Sequence, residues 1–155
     1  MHIFGAKRVL IEGLESSSHG GDGFYIGGPP GKPSTDIIIR GCKAENNRRQ
    51  GLSMTSARRV RIVDCEFVNT NGTAPQFGVD LEPNNPGDYM DDIVLLRPRT
   101  AANAGGGILI ALHHLDTQSY PVTVNVMEHS SESELPPFDT LIPQEINVTV
   151  RYSRL

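Results

Sequence analysis

Cysteine is scarce in this chain: two residues, Cys42 and Cys65, in 155. Two cysteines make no disulfide framework. Long apolar runs are absent too, and no segment approaches the roughly 18 residues of a membrane-spanning helix. The start, MHIFGAKRVL, has no apolar core of a secretory leader. Positive charge is in deficit, with 14 Lys and Arg against 18 Asp and Glu and a formal net charge of -4. A nucleic-acid partner is therefore not expected, because phosphate binding needs clustered cations. Arg48-Arg49 and Arg58-Arg59-Val60-Arg61 are the basic clusters, and their expected place is in solvated turns. No membrane partner is expected. A sustained helical period is missing, as are a phosphate-binding loop, a dinucleotide fingerprint and a serine nucleophile elbow.

What is present is a repeat. Four segments alternate apolar and polar residues and end in a turn: RVLIEGLES (8–16), DIIIRGCKA (36–44), RVRIVDCEF (59–67) and DIVLLRPRT (92–100). Four others place a glycine before a short alternating strand: GFYIGG (23–28), GLSMTS (51–56), GVDLEP (78–83) and GILIAL (107–112). Further copies of the first pattern fall at PVTVNVMEH (121–129) and EINVTVRYS (145–153). Each segment suits a short strand with a period of two. A lone coil of such strands cannot bury its apolar face. Stacking coils about 4.8 Å apart creates a continuous core. The expected fold is all-β, a right-handed parallel β-helix of roughly 4–6 coils with little or no α-helix.

In that register Phe24, Leu52, Val79 and Ile108 form one inward column, and Ile26, Met54, Leu81 and Ile110 another. In the other strand Val9, Ile37, Val60 and Ile93 stack, as do Ile11, Ile39, Ile62 and Leu95. Cys42 and Cys65 become neighbours in adjacent coils, at a spacing open to a disulfide or to two buried thiols. Asn46, Asn47, Asn69 and Asn71 follow the cysteine column in the turns. Residues 1–155 read as one domain, expected to be part of a longer chain, with a loop over 130–143 before a final strand. The exposed N-terminal coil predicts a flanking domain or a homo-oligomer that covers it.

The pattern in RVRIVDCEFVN and DIIIRGCKAEN, followed by a turn and a glycine strand, resembles the right-handed parallel β-helix superfamily, which includes pectate-lyase-like proteins, alginate epimerases and phage tailspikes. Phe77-Gly78-Val79-Asp80 is similar to the aromatic-Gly-apolar-Asp core of the alginate epimerase and lyase motif, although Leu81-Glu82 stands where that motif has Pro-His. The resemblance implies an internal ladder of amides at Asn46, Asn47, Asn69 and Asn71 that satisfies the turn backbone, and a carbohydrate-active protein of the lyase or epimerase type, acting on or binding an acidic polysaccharide, extracellular or at a cell surface in its full-length form. The alternative is a non-catalytic sugar-binding, adhesive or architectural module.

The candidate catalytic residues are Asp80 and Glu82, which share a strand face, and Arg49, a cation for a sugar carboxylate. Tyr25, Arg48, Gln50, Ser53, Asn84, His113 and His114 are the candidate substrate-binding residues. His113 and His114 cannot both point at one metal from a regular strand, their expected place is a turn, and neither a metal nor another cofactor is expected.

Overall fold

Glycine and β-branched residues dictate the architecture. The computed structural model describes residues 1–132 and 136–155, and they contain sixteen strands and no helix. Three faces are built by parallel pairing between successive coils. The first face carries β1 (His2–Phe4), β4 (Phe24–Gly27), β7 (Leu52–Met54), β10 (Phe77–Leu81), β13 (Gly106–Ala111) and β15 (Phe138–Leu141). The second carries β2 (Lys7–Glu12), β5 (Ser34–Arg40), β8 (Ala57–Val63), β11 (Met90–Leu96), β14 (Val122–Glu132) and β16 (Val148–Arg154). The third carries β3 (Glu15–Ser17), β6 (Lys43–Glu45), β9 (Glu66–Val68) and β12 (Arg99–Ala101), and the far end of β14 closes it.

The register is the one the apolar alternation requires. Val79 of β10 lies beside Leu52 on one side and Ile108 on the other. Leu81 lies between Met54 and Ile110. All six side chains are fully buried. On the second face Val60 sits between Ile37 and Ile93, and Ile62 between Ile39 and Leu95. A one-residue slip in any coil turns its apolar set to solvent, which is why the register is strongly specified.

The recurring glycine has a steric cause. A Cβ added at Gly23 meets the carbonyl oxygen of Gly51 at 2.7 Å, one at Gly51 meets that of Gly78 at 2.5 Å, and one at Gly78 meets that of Gly107 at 2.9 Å. Each coil enters the first face so close to the next that no side chain fits between them.

The turns differ from expectation in three places. The amide ladder consists of Asn47 and Asn103. Asn47 accepts from the His19 N–H and donates to the Ser16 carbonyl. Asn103 accepts from the Thr70 N–H and donates to the Phe67 carbonyl. Asn46 and Asn69 instead adopt positive φ at exposed corners, a conformation asparagine tolerates better than most residues. The basic cluster of β8 is not in a turn. Arg58, Arg59 and Arg61 pair with Asp91, Asp36 and Asp92 of neighbouring coils. Finally, the stretch 130–143 is not one loop. It holds the end of β14 and the whole of β15, while residues 133–135 lie outside the described residues. Phe138 packs against the core there, which offsets the polar composition around it. Cys42 and Cys65 are buried free thiols.

One buried histidine ties the last coils together. Its Nε2 lies 2.8 Å from Thr100 Oγ1, and its Nδ1 lies 3.0 Å from the Tyr152 hydroxyl. Burial pulls this group, His129, from its ordinary 6.5 down to about 4. The unfolded chain therefore takes up the proton first as pH falls. Stability held above about pH 6.5 is lost progressively toward pH 4, by roughly 3 kcal/mol at most. Urea unfolding of wild type beside His129→Gln should show the pH dependence of wild type in this window reduced in the variant. Parallel pH profiles for the two would contradict the assignment.

Candidate functional site

On the first face, residues that alternate with the core point outward. His2, Tyr25, Ser53, Asp80, Leu109 and Asp139 form one outward column, and Phe4, Gly27, Thr55, Glu82, Ala111 and Leu141 the next. Outward here does not mean solvated. Asp80 has no exposed surface at all, and Ser53 is almost as deeply buried. At Asp80 the corner before β7 reaches over the column through Gln50, while His2 and Asp139 at its ends stay exposed.

Gln50, in the corner leading into β7, is itself fully buried. Its Nε2 donates to Asp80 Oδ2 at 2.6 Å, and its Oε1 accepts from the Phe77 N–H at 2.9 Å. The amide thus clamps the carboxyl to the strand that carries it. The other oxygen, Asp80 Oδ1, is buried with no hydrogen-bond partner among the described residues. Burial above all, and then the charge of Glu82 two residues on, pushes Asp80 from 3.8 up to about 7; Arg49 opposes the shift. A buried carboxyl that lacks a donor for one oxygen is costly to ionise, so it holds its proton.

Arg49 spans the site. Its guanidinium is 3.6 Å from Asp22 Oδ2 and 3.8 Å from Glu82 Oε2. Both contacts are long and the arginine is 40% exposed, so neither pair holds it firmly. Asp22 comes from the corner before β4. Burial raises its pKa, with Arg49 lowering it, and its Oδ1 is also unpartnered among the described residues. Three carboxyls, one cation and one amide therefore converge on the middle of the face.

At the next coil β13 ends at Ala111, and His113 and His114 occupy a turn. The alternation argument does not apply in a turn, and the two imidazoles lie together with centroids 4.0 Å apart. His113 Nε2 is 3.8 Å from Glu82 Oε1. Glu82, His113 and His114 each offer one ligand atom, and these atoms all lie within 4.8 Å of one another. The two histidines thus lie in a turn, as expected, where the argument that a regular strand keeps them apart does not apply.

The remaining candidates are distributed as follows. Tyr25 is half-buried, with its hydroxyl 2.9 Å from Thr55 Oγ1; Gly27 leaves the space that this pair fills. Gln50 and Ser53 lie beneath the surface, so their contacts are with the protein. Arg48 donates from Nε to Thr73 Oγ1 in the turn before β10. Asn84 is exposed in a turn whose backbone is capped by Asp88, which accepts from the N–H of Asn84 and of Asn85. Leu109 and Ala111 pack with Phe77 in a small apolar cluster that ends the polar stretch. Asp22 is not legible as a candidate from the sequence. Its neighbours Gly20, Gly21 and Gly23 mark only a corner, and nothing in the spacing ties that corner to β10.

A concavity of about 580 Å³ lies away from this cluster. It sits by the second face, lined by Lys7, Lys32, Arg58, Arg59 and Tyr89 among others. Its arginines are neutralised by Asp91 and Asp36, and no shifted, unpartnered group among the described residues faces it. The buried carboxyl with a raised pKa, as distinct from the space, is at Asp80.

Comparison with known proteins gives the following. A family model described as "Right handed beta helix region" matches residues 1–86. "Uncharacterized protein YclG" of Bacillus subtilis (strain 168) is 36% identical over 141 residues, covering 76% of this chain and 24% of that protein. "SPbeta prophage-derived uncharacterized protein YorA" of the same organism is 32% identical over 92 residues, covering 53% of this chain and 16% of that protein. The chain thus matches about a quarter or less of the length of these relatives. No solved structure matches.

Proposed function

This chain belongs to the right-handed β-helix family, whose members are commonly carbohydrate-active, and from that premise we propose that its first face acts on an acidic polysaccharide. The observation that carries the reading is the Asp80 carboxyl, clamped through one oxygen by Gln50 and buried without a partner at the other. Structural carboxyls are normally satisfied when buried. An orphaned one beside a loosely held arginine suits proton transfer better than it suits packing.

Elimination at a uronic acid asks for little machinery. The C5 proton is removed, the electron pair forms the C4–C5 double bond, and the C4–O bond breaks as the leaving oxygen takes a proton. Asp80 is the group placed to move a proton. Arg49 is the cation placed to neutralise the sugar carboxylate, which makes the C5 proton more acidic. Glu82, 3.8 Å from Arg49, pairs with it only loosely, which leaves the guanidinium available to a ligand. Epimerisation begins with the same proton removal and differs in returning a proton to C5.

One observation favours a second reading, binding without turnover. Asp80 has no open surface, so a chain lying on the face meets Arg49, Glu82 and Tyr25 first. The test is release of unsaturated uronate, read by its ultraviolet absorbance, from a panel of acidic polysaccharides. The elimination reading expects product from wild type and a loss of roughly 100-fold or more in Asp80→Asn, the scale of a general acid–base contribution. Absence of product from every polymer removes elimination and leaves binding ahead. Product formed equally by Asp80→Asn removes Asp80 from the chemistry.

A further inference from the structure

We infer that Glu82, His113 and His114 form a binding site for a borderline first-row divalent cation of the zinc, cobalt or nickel type. Such a site goes beyond the polysaccharide reading and needs no sugar. It rests first on convergence. One carboxylate and two imidazoles, from coils that neighbour each other on the first face, bring ligand atoms within 4.8 Å of one another. Ligands around a zinc-sized ion, at bonds of about 2.1 Å, stand roughly 3.3 Å apart in a tetrahedral arrangement. Small side-chain rotations close that difference. His113 and His114 are exposed and Glu82 is only partly buried, so those rotations meet little packing.

The second observation is the way Glu82 is held. Its two oxygens face different partners: Oε2 lies 3.8 Å from the Arg49 guanidinium, and Oε1 lies 3.8 Å from His113 Nε2. Arg49 thus lies on the side of one oxygen and leaves the other for the ion, on the pattern of outer-shell partners at metal centres. The third is Asp80, two residues from Glu82 on the same strand face, whose Oδ1 is buried and without a partner among the described residues.

The donor set decides the class of ion. Two imidazoles and one carboxylate suit zinc, cobalt and nickel. Calcium and magnesium take oxygen ligands, and a single carboxylate offers them little. Three protein ligands also leave positions open to water or to a ligand oxygen, the pattern of a reactive rather than a sealed centre.

The experiment uses the whole chain without a histidine tag, stripped with a chelator and titrated with Co²⁺ alone. The expected result is one equivalent bound, with a visible ligand-field spectrum of mixed nitrogen and oxygen ligation that Zn²⁺ abolishes by displacement. His113→Ala and His114→Ala should each weaken binding roughly tenfold or more, a typical penalty for damaging a metal site. His2→Ala, remote from the turn, should leave it unchanged. Calcium at the same concentration should not displace cobalt. The inference is overturned if wild type gives no such spectrum, if His113→Ala and His114→Ala bind as tightly as wild type, or if calcium competes equally. The wild-type spectrum bears on the inference whether or not a variant folds.

Discussion

Replacing Asp80 with Asn stabilises the protein above neutrality and changes much less in acid. The native carboxyl holds its proton up to about pH 7, whereas the ordinary value is 3.8. Between these values the unfolded chain ionises and the folded one does not, so wild-type stability falls as pH rises from about 4 to 7. The full loss is roughly 4 kcal/mol, at about 1.4 kcal/mol for each pH unit between the two values. Asn carries no charge to desolvate. Its oxygen still accepts from Gln50, and its NH₂ can donate toward Glu82. Urea unfolding in the presence of a chelator, at about pH 4 and about pH 8, checks this. The variant should gain on wild type by several kcal/mol between the two conditions. A pH-independent difference would mean that Asp80 ionises freely in the folded state, and the site as described would not exist.

Gly51→Ala should be strongly damaging on steric grounds alone, because Gly51 is not held at positive φ. The new Cβ would stand 2.5 Å from the carbonyl oxygen of Gly78 and 2.9 Å from Phe67 Cβ. One obstacle is backbone, which cannot rotate away, so the coils must separate where their ladder hydrogen bonds form. The cost is about 2–3 kcal/mol, at the upper part of the range for overpacked positions. Gly87→Ala is the control. A Cβ there meets nothing within 4 Å, and the residue is not held at positive φ, so its effect should stay within about 0.5 kcal/mol. Denaturant midpoints of the two variants measure the contrast. Equal midpoints would show that the glycine column is not sterically required.

The glycine column and Asp80 differ in how far the amino-acid order makes them legible. Strands repeat at a period of two and coils at 27 to 29 residues, so a correct register makes every inward column apolar at once. Leu52, Val79 and Ile108 align from spacing alone, and the structure pairs them so. The glycines at 23, 51 and 78 stand out as punctuation, but their cause, the carbonyl of the next coil, lies in three dimensions.

Corners have no period, and most departures occur there. The amide ladder runs through Asn47 and Asn103, not Asn46 and Asn69, because the choice depends on which residue of each corner turns inward. Gln50 reads as a surface amide until its corner folds it over Asp80. His113 and His114 diverge on an ideal strand and converge in the turn that replaces it. Alternation places Asp80 on the outer face, as the structure does, yet it equates outer with solvated. Asp80 is buried where the corner before β7 brings Gln50 onto its carboxyl, a contact that no pattern in FGVDLEPNN encodes.

Recognition of an acidic saccharide around Asp80, on the first face of the solenoid, is the central claim. Backbone amide shifts in a ¹⁵N-labelled sample, titrated with uronate oligosaccharides and in parallel with a neutral glucan, test it most directly. The expected result is shifts from the acidic ligand alone, concentrated at Tyr25, Arg49, Thr55, Glu82 and His113. Shifts that are absent with every acidic ligand, that are the same with the neutral glucan, or that centre on the Lys7, Lys32 and Tyr89 concavity instead would contradict it.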